Sequence, residues 1–388
     1  MRVVTGVTAL AAAMEFHAHQ REEWTHELGY PMVKETYRSD AMPLAPGQVV
    51  FTDKDTFMLK FPQPYDPYAI TKFHAEVTDD QNKSVPLDEV YNHHWLIFNS
   101  QGNRGVCGGY LSYIFGVGQE CRNTPVVFPA GTGYVAKGSF PWFANIHLLR
   151  TQGLHVDTNM SQAVKDCIEC SYTPEKGCSP EESGMFACCG DGSRCPVDSN
   201  QLPVKNYYLS YTMEYTTNAS AVKPVRLYVL DGSNCQIEYN IQADEANPYQ
   251  VTEHSWTSPA SGEIAFTVGH VHNSGINISL LVNNEIKCTS IPTYGTEVGK
   301  AGNEKGYIVE FSSCSDGFSI KAGDTIGVKA VYYVGYDDQT GSGIPGGSHG
   351  GVMALFYLGA VEDTLRDAEG NKIEKPWELE WQPAPVVV

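Results

Sequence analysis

The chain has 388 residues, 42% of them apolar, which supports ordinary hydrophobic cores and two medium domains and excludes wholesale disorder. With 26 Lys+Arg against 45 Asp+Glu the net charge is −19, so the chain lacks the electrostatic footprint needed for nucleic acid or an anionic membrane face. Charged residues make up only 18%, beside 37 Gly, 22 Tyr and 22 Pro, a balance that suits a turn-rich β protein, and no apolar run is long enough to span a bilayer.

Residues 1–40 show no clear period. Met1-Arg2 followed by the apolar stretch Val3 to Met14 resembles a short signal peptide, with an ordered N-terminal arm as the alternative. From Gln48 onward the text is β-like. Tyr68 to Val77, His93 to Phe98 and Phe143 to Leu149 are short apolar runs between Gly, Pro, Asn and Asp clusters. Between about Val156 and Ser199 the chain turns rich in Cys, Gly, Ser and Glu. Asn206 to Thr216 then alternates, with Tyr207, Leu209, Tyr211, Met213 and Tyr215 on one face. Ile326, Val328, Ala330, Tyr332 and Val334 alternate in the same way. The tail from about Glu362 is charged, then Pro-rich (Trp381-Gln-Pro-Ala-Pro), and reads as an extended surface arm.

These elements predict an all-β fold of two jelly-roll or β-sandwich domains. The predicted division is an arm or signal-like segment (1–40), an N-terminal sandwich (41–156), a disulfide-stapled Cys-rich insertion (157–203), a C-terminal sandwich (204–361) and a Pro-rich tail (362–388). Arm and tail would suit contacts between copies in a homo-oligomer or an extracellular assembly.

Eleven cysteines, six of them between Cys167 and Cys195, argue for disulfides in an oxidising compartment and so for a secreted protein. Vicinal Cys188-Cys189 favours disulfides over zinc in that cluster. An odd count leaves one thiol unpaired in the chain or bonded outside it. Four sequons, at Asn82, Asn159, Asn218 and Asn277, agree as N-glycan acceptors.

The candidate chemistry lies in imidazoles. His93-His94 are adjacent, so both reach one metal only at a strand end or a bulge; otherwise one is buried and the other exposed. Ile264, Phe266, Val268, His270 and His272 share a face by period two, and two imidazoles at that spacing can chelate a transition metal. Alone, they also read as two rim histidines. His147 sits in an apolar strand and by itself reads as a core histidine. Met353, alone a core methionine, would select Cu(I) if it faced a metal. His349 reads as a cap on a Gly-rich loop, with a group behind the ligands or an extra ligand as the alternative. No Ser-His-Asp arrangement or phosphate-cradling loop stands out.

Taken in order, these pieces resemble the copper type II, ascorbate-dependent monooxygenases, the family of peptidylglycine α-hydroxylating monooxygenase and dopamine β-monooxygenase. The resemblance implies two jelly-roll domains and two copper sites. The first would use His93, His94 and His147, and the second His270, His272 and Met353. It also implies bridges Cys288–Cys314 and Cys107–Cys121, and a reductant such as ascorbate. The chain departs from that family in two places. Trp95 follows the His pair where the hydroxylases carry Met, and the Cys-rich insertion is foreign to them. Residues for binding a peptide carboxylate have no counterpart here.

Several segments resemble the stress-up-regulated nodulin family of plants, over about Met32 to Leu358. They are Val85-Pro-Leu-Asp-Glu-Val-Tyr-Asn-His-His-Trp, Ala187-Cys-Cys-Gly-Asp-Gly, Cys288-Thr-Ser-Ile-Pro-Thr-Tyr-Gly, Ala301-Gly-Asn-Glu-Lys-Gly-Tyr-Ile-Val and His349-Gly-Gly-Val-Met-Ala-Leu-Phe-Tyr. The expected function is copper- and O2-dependent oxidation of an unidentified small molecule or peptide. The alternative is a non-catalytic extracellular glycoprotein of the same fold, a structural or assembly protein or a copper-binding one.

Overall fold

The computed structural model of the chain describes residues 15–46, 49–51, 57–60, 67–99, 106–107, 111, 113–138, 141–152, 168–169, 186–187, 202–242, 247–333, 336–337, 342–343, 348–363 and 382–383. The strands used below are β1 (Phe16–Thr25), β2 (Pro31–Ser39), β3 (Tyr68–Thr78), β4 (Val90–Asn99), β5 (Phe115–Val117), β6 (Thr132–Ala136), β7 (Trp142–Arg150) and β8 (Lys205–Thr216). They continue with β9 (Arg226–Asp231), β10 (Tyr249–Thr257), β11 (Gly262–Val271), β12 (Gly275–Val282), β13 (Glu285–Ser290), β14 (Thr325–Tyr333) and β15 (Ala354–Glu362).

Four sheets form the body of the protein, which is all-β. The first is eight-stranded and runs β1-β2-β8-β3-β6, with Lys223–Pro224 at its edge. The second places β7 beside β4 and β4 beside β5. The third runs β9-β15-β11, and the fourth runs β13-β12-β14-β10 with Gln382–Pro383 at the end. The alternation read from sequence has its physical outcome in β8, where Tyr207, Leu209, Tyr211, Met213 and Tyr215 are all buried. These side chains face Trp95 and Ile97 of β4, and together they fill the first core. Ile326, Val328, Ala330 and Tyr332 of β14 do the same for the second core.

The third sheet is covered on both faces. Along β15, Leu355 and Tyr357 join the first core, while Ala354, Phe356, Leu358 and Ala360 join the second. A strand buried on both sides must be apolar throughout, and Ala-Leu-Phe-Tyr-Leu-Gly-Ala is. The outward face of this sheet therefore opposes the second sheet, and the functional residues collect between the two.

Three expectations are corrected. Residues 16–39 were expected within an arm, yet β1 and β2 form a hairpin whose second strand pairs with β8 in the first sheet. The period was hidden because β1 is an edge strand, exposed on both faces beyond Phe16 and charged at Arg21, Glu22 and Glu23. Segment 205–216 was expected in the C-terminal sandwich, yet β8 lies between β2 and β3 of the first sheet, drawn there by its five buried side chains. Cys107 bonds Cys235 across 128 positions, and Cys121 is a free buried thiol, so the Cys107–Cys121 bridge does not form. Cys288–Cys314 is present.

The cysteines between Cys167 and Cys195 lie outside the described residues, apart from the small ladder of Ile168–Glu169 with Phe186–Ala187 between them. Asn82 and Asn218 are exposed, Asn277 is half-buried, and Asn159 lies outside the described residues. Among the described residues no helix is long and apolar enough to cross a membrane.

Candidate metal centre

The first donor set is made by a break in strand register. β7 pairs with β4 so that His147 opposes His94 and Leu148 opposes Asn92, leaving His93 as an extra residue. This β-bulge turns two adjacent side chains towards one side. His93, His94 and His147 each offer a ring nitrogen, and those atoms lie within 4.8 Å of one another. The ring centroids are 4.6 Å apart for His93–His147 and 5.4 Å apart for His94–His147.

Proton placement favours ligation. Nε2 of His94 lies 2.6 Å from Oδ1 of Asn145. An amide oxygen only accepts, so Nε2 carries the proton and Nδ1 carries the lone pair. Nδ1 of His93 lies 3.1 Å from Nδ1 of His94 and donates to it in the metal-free chain. Two nitrogens about 2.0–2.1 Å from a shared ion would be about 2.9 Å apart at a right angle and about 3.3 Å apart at the tetrahedral angle. Burial, followed by repulsion from the neighbouring rings, holds His93 well below the ordinary imidazole range; burial likewise lowers His94 and takes His147 to about 3. The cluster is thus neutral at physiological pH, the state in which imidazole binds metals.

The second donor set lies on the facing sheet. A register shift at Ala265 separates Ile264, which packs in the second core, from Phe266, Val268 and His270. Ile264 therefore does not share the face expected for it. Gly269 lies against Ile278, where a Cβ would clash at 2.0 Å, so the strand can lie close while it carries His270. The rings of His270 and His272 are 5.4 Å apart and nearly perpendicular. Nδ1 of His270 donates to Oε1 of Glu120 at 3.2 Å, which leaves its Nε2 lone pair available. Glu120 comes from the 3₁₀ turn Gln119–Arg122, on the other half of the chain.

Met353 precedes β15. The buried hydroxyl of Tyr332 accepts from the His272 backbone N–H at 3.0 Å and donates to the Met353 carbonyl at 2.5 Å. One phenol on β14 therefore fixes the backbone beside two candidate ligands. Tyr332→Phe leaves both groups without that partner and is expected to cost ~1–3 kcal/mol in urea denaturation. An unchanged midpoint would contradict this role.

The two donor sets meet in one compartment. His93, His94, His270, His272 and Met353 line the same cavity of about 260 Å³ between the second and third sheets. His93 and His272 have ring centroids 6.2 Å apart. His147 stands behind His93 on the second sheet. His349 lies in the short strand Ser348–Val352, which pairs with Tyr239–Gln242. Sequence reasoning did not find Asn145, Glu120 or Tyr332. Asn145 carries a readable signal, two positions before His147 on the same strand face; the other two approach from distant segments and leave none.

An all-β, disulfide-bonded protein whose facing sheets enclose an imidazole-rich cavity is the class that this fold and site define. The chain belongs to the stress up-regulated Nod 19 family, which matches residues 31–103 and 97–363. No curated protein matches it in sequence. Among solved structures it is similar to a peptide-N(4)-(N-acetyl-β-D-glucosaminyl) asparagine amidase, at 9% identity and a TM-score of 0.36, covering 84% of this chain and 96% of that one. A second likeness is to the infectious bursal disease virus Gt strain, at 10% identity and a TM-score of 0.17, covering 87% of this chain and 71% of that one. Likenesses this slight carry no argument.

Proposed function

We propose that this cavity holds copper and that the protein is an extracellular, reductant- and O2-dependent copper oxidase or monooxygenase of a small substrate. The observation that carries this reading is the neutral triad His93, His94 and His147, its nitrogens within 4.8 Å, beside a cavity that also presents His270, His272 and Met353. Three imidazoles would hold one ion, and two imidazoles with a thioether a second; the thioether favours Cu(I). Bound copper would supply one-electron and O2 chemistry, with electrons from a reductant such as ascorbate.

The chain's own groups then have defined tasks. Asn145 and Glu120 orient the His94 and His270 rings by accepting their distal N–H groups. Tyr332 holds the strand ends that carry His272 and Met353. Apolar side chains such as Leu96, Val229 and Leu355 line the space beside the donor sets. The disulfides Cys107–Cys235 and Cys288–Cys314 and the exposed sequons Asn82 and Asn218 support an extracellular setting.

The test is metal analysis of chelator-stripped, copper-reloaded protein, followed by ascorbate-driven O2 uptake. The expected result is two copper ions per chain and uptake above that of free copper. Failure to retain copper sinks the reading. Copper retention without O2 uptake sinks the enzymatic part and leaves a copper-binding scaffold.

A further inference from the structure

The fourth sheet buries one face in the second core and leaves the other to solvent. Ile278 and Leu280 of β12, Val328 and Ala330 of β14 and Trp256 of β10 point inwards. Alternation and register then turn Asn277, Val331 and Tyr333 outwards, together with Tyr249 and Val251. This outer face is apolar for one that meets water. Tyr249 is 52% exposed and Val251 54% exposed, and the rings of Tyr249 and Tyr333 stand 5.3 Å apart. Further along, Leu281 pairs with Ile286, which is 58% exposed. The Lys329 ammonium is matched by Glu253 at 3.1 Å, so the pair adds no net charge to the face. A contiguous exposed apolar surface marks a place that something covers.

Asn277 stands in the middle of that face, in the acceptor sequence Asn277-Ile278-Ser279. It pairs with Val331, which pairs in turn with Val251, so the three form one row across β12, β14 and β10. Side chains directly opposite on neighbouring strands have Cβ atoms about 4.5–5.5 Å apart, and diagonal ones lie about 7–8 Å apart. Val331 is the direct neighbour of Asn277 and Tyr333 the diagonal one, so both are within reach of a sugar attached there. A pyranose has an apolar C–H face and a polar rim. Laid on valine and tyrosine, it removes their apolar area from water while its hydroxyls stay hydrated. A glycan rising from the centre of the row also stands in the way of a flat protein partner.

We propose that Asn277 carries an N-linked glycan and that its first sugars cover Val331, Tyr333 and Val251 on the outer face of the fourth sheet. In the transfer, the amide nitrogen of Asn277 bonds to C1 of the N-acetylglucosamine of a lipid-diphosphate-linked oligosaccharide. The C1–O bond to the diphosphate breaks, the amide loses one proton, and nothing is oxidised or reduced. The acceptor is the unfolded chain entering the secretory route, so the half-burial of Asn277 after folding is no bar. The proposal rests on the extracellular part of the function proposed above and is independent of copper.

The test is to express the full chain through the secretory route of a eukaryotic host. Its peptides are then mapped by mass spectrometry after enzymatic glycan release in heavy-oxygen water, which marks each formerly glycosylated Asn as labelled Asp. Asn277 is expected to be occupied. Asn277→Gln should bind an apolar-surface dye more strongly than Asn218→Gln, and in sedimentation it should self-associate at least about tenfold more tightly, a change equivalent to burying one such side chain. Adding Val251→Lys to Asn277→Gln should reverse both effects. If Asn277→Gln is not secreted, deglycosylation of the folded, purified protein takes its place with the same expected result. An empty Asn277 in a chain glycosylated at another sequon overturns the proposal alone, whereas a chain with no glycan at any sequon overturns the extracellular reading with it. An occupied Asn277 whose loss changes neither dye binding nor self-association overturns the covering role. A glycosylated chain that dimerises through Val251 does so too, since a second copy is then the cover.

Discussion

Alanine at His93 is expected to weaken copper retention at the first donor set by on the order of a hundredfold or more, as read by competition with a chromophoric chelator. The magnitude follows from structural metal sites, where 10–16 kcal/mol shared among four ligands is about 3 kcal/mol each. His94→Ala and His147→Ala should act alike, because all three nitrogens fall within 4.8 Å. Asn145→Leu removes only the acceptor that fixes the His94 ring, and about 10- to 100-fold is expected. His254→Ala, on β10 and outside the cavity lining, is the control and should change nothing. If the control and His93→Ala behave alike, the donor set is misassigned.

The same burial gives the metal-free protein a directional pH dependence. A histidine whose pKa is depressed on folding takes up its proton more readily in the unfolded chain. Its contribution to stability is therefore present above the ordinary value of 6.5 and is lost progressively as the pH falls towards the folded value, about 3 for His147. Thermal melts of stripped protein should fall between pH 7.5 and 4.5, and His147→Leu should flatten that slope. A slope equal to the parent's would remove His147 from the account.

Arg122→Met is expected to destabilise the chain by about 3–5 kcal/mol in chemical denaturation, the largest stability effect anticipated for one substitution. Glu304 is fully buried and accepts from Arg122 at 2.8 Å, from the Leu87 N–H at 3.1 Å and from the Gly302 N–H at 3.0 Å. Arg122 also donates to the Val85 carbonyl at 2.7 Å. These contacts tie the loop around Gly302 to the first half of the chain, two residues from Glu120 and hence beside the cavity. Losing the guanidinium strands a buried carboxylate, which costs more than losing the pair. The double replacement Arg122→Met, Glu304→Leu should accordingly be more stable than Arg122→Met alone. If the single variant lies within 1 kcal/mol of the parent, or the double variant is the worse of the two, Glu304 is not held in this way.

Much of the fold was legible because alternation is local. Tyr207 to Tyr215 and Ile326 to Tyr332 declare a buried face, since side chains along a strand alternate whatever lies opposite. The candidate ligand types were legible too, because imidazole and thioether chemistry belongs to the residue. The bulge that turns His93 to the side of His94 was not legible, since a bulge is a relation between two strands and β7 supplies the partner. Nor was the shift at Ala265 that sends Ile264 into the second core.

The sequence by itself determined an acidic, all-β chain and where its imidazoles and thioether fall along it. Only the tertiary structure decided that Cys107 meets Cys235, that β8 joins the first sheet, and that His93, His94, His270, His272 and Met353 line one cavity. The reason is the same throughout. Composition and period fix which face of a strand is apolar, but the partner is chosen by packing among segments tens to more than a hundred positions apart. Glu120 reaches His270 across 150 positions and Tyr332 reaches His272 across 60, distances over which no local pattern carries information.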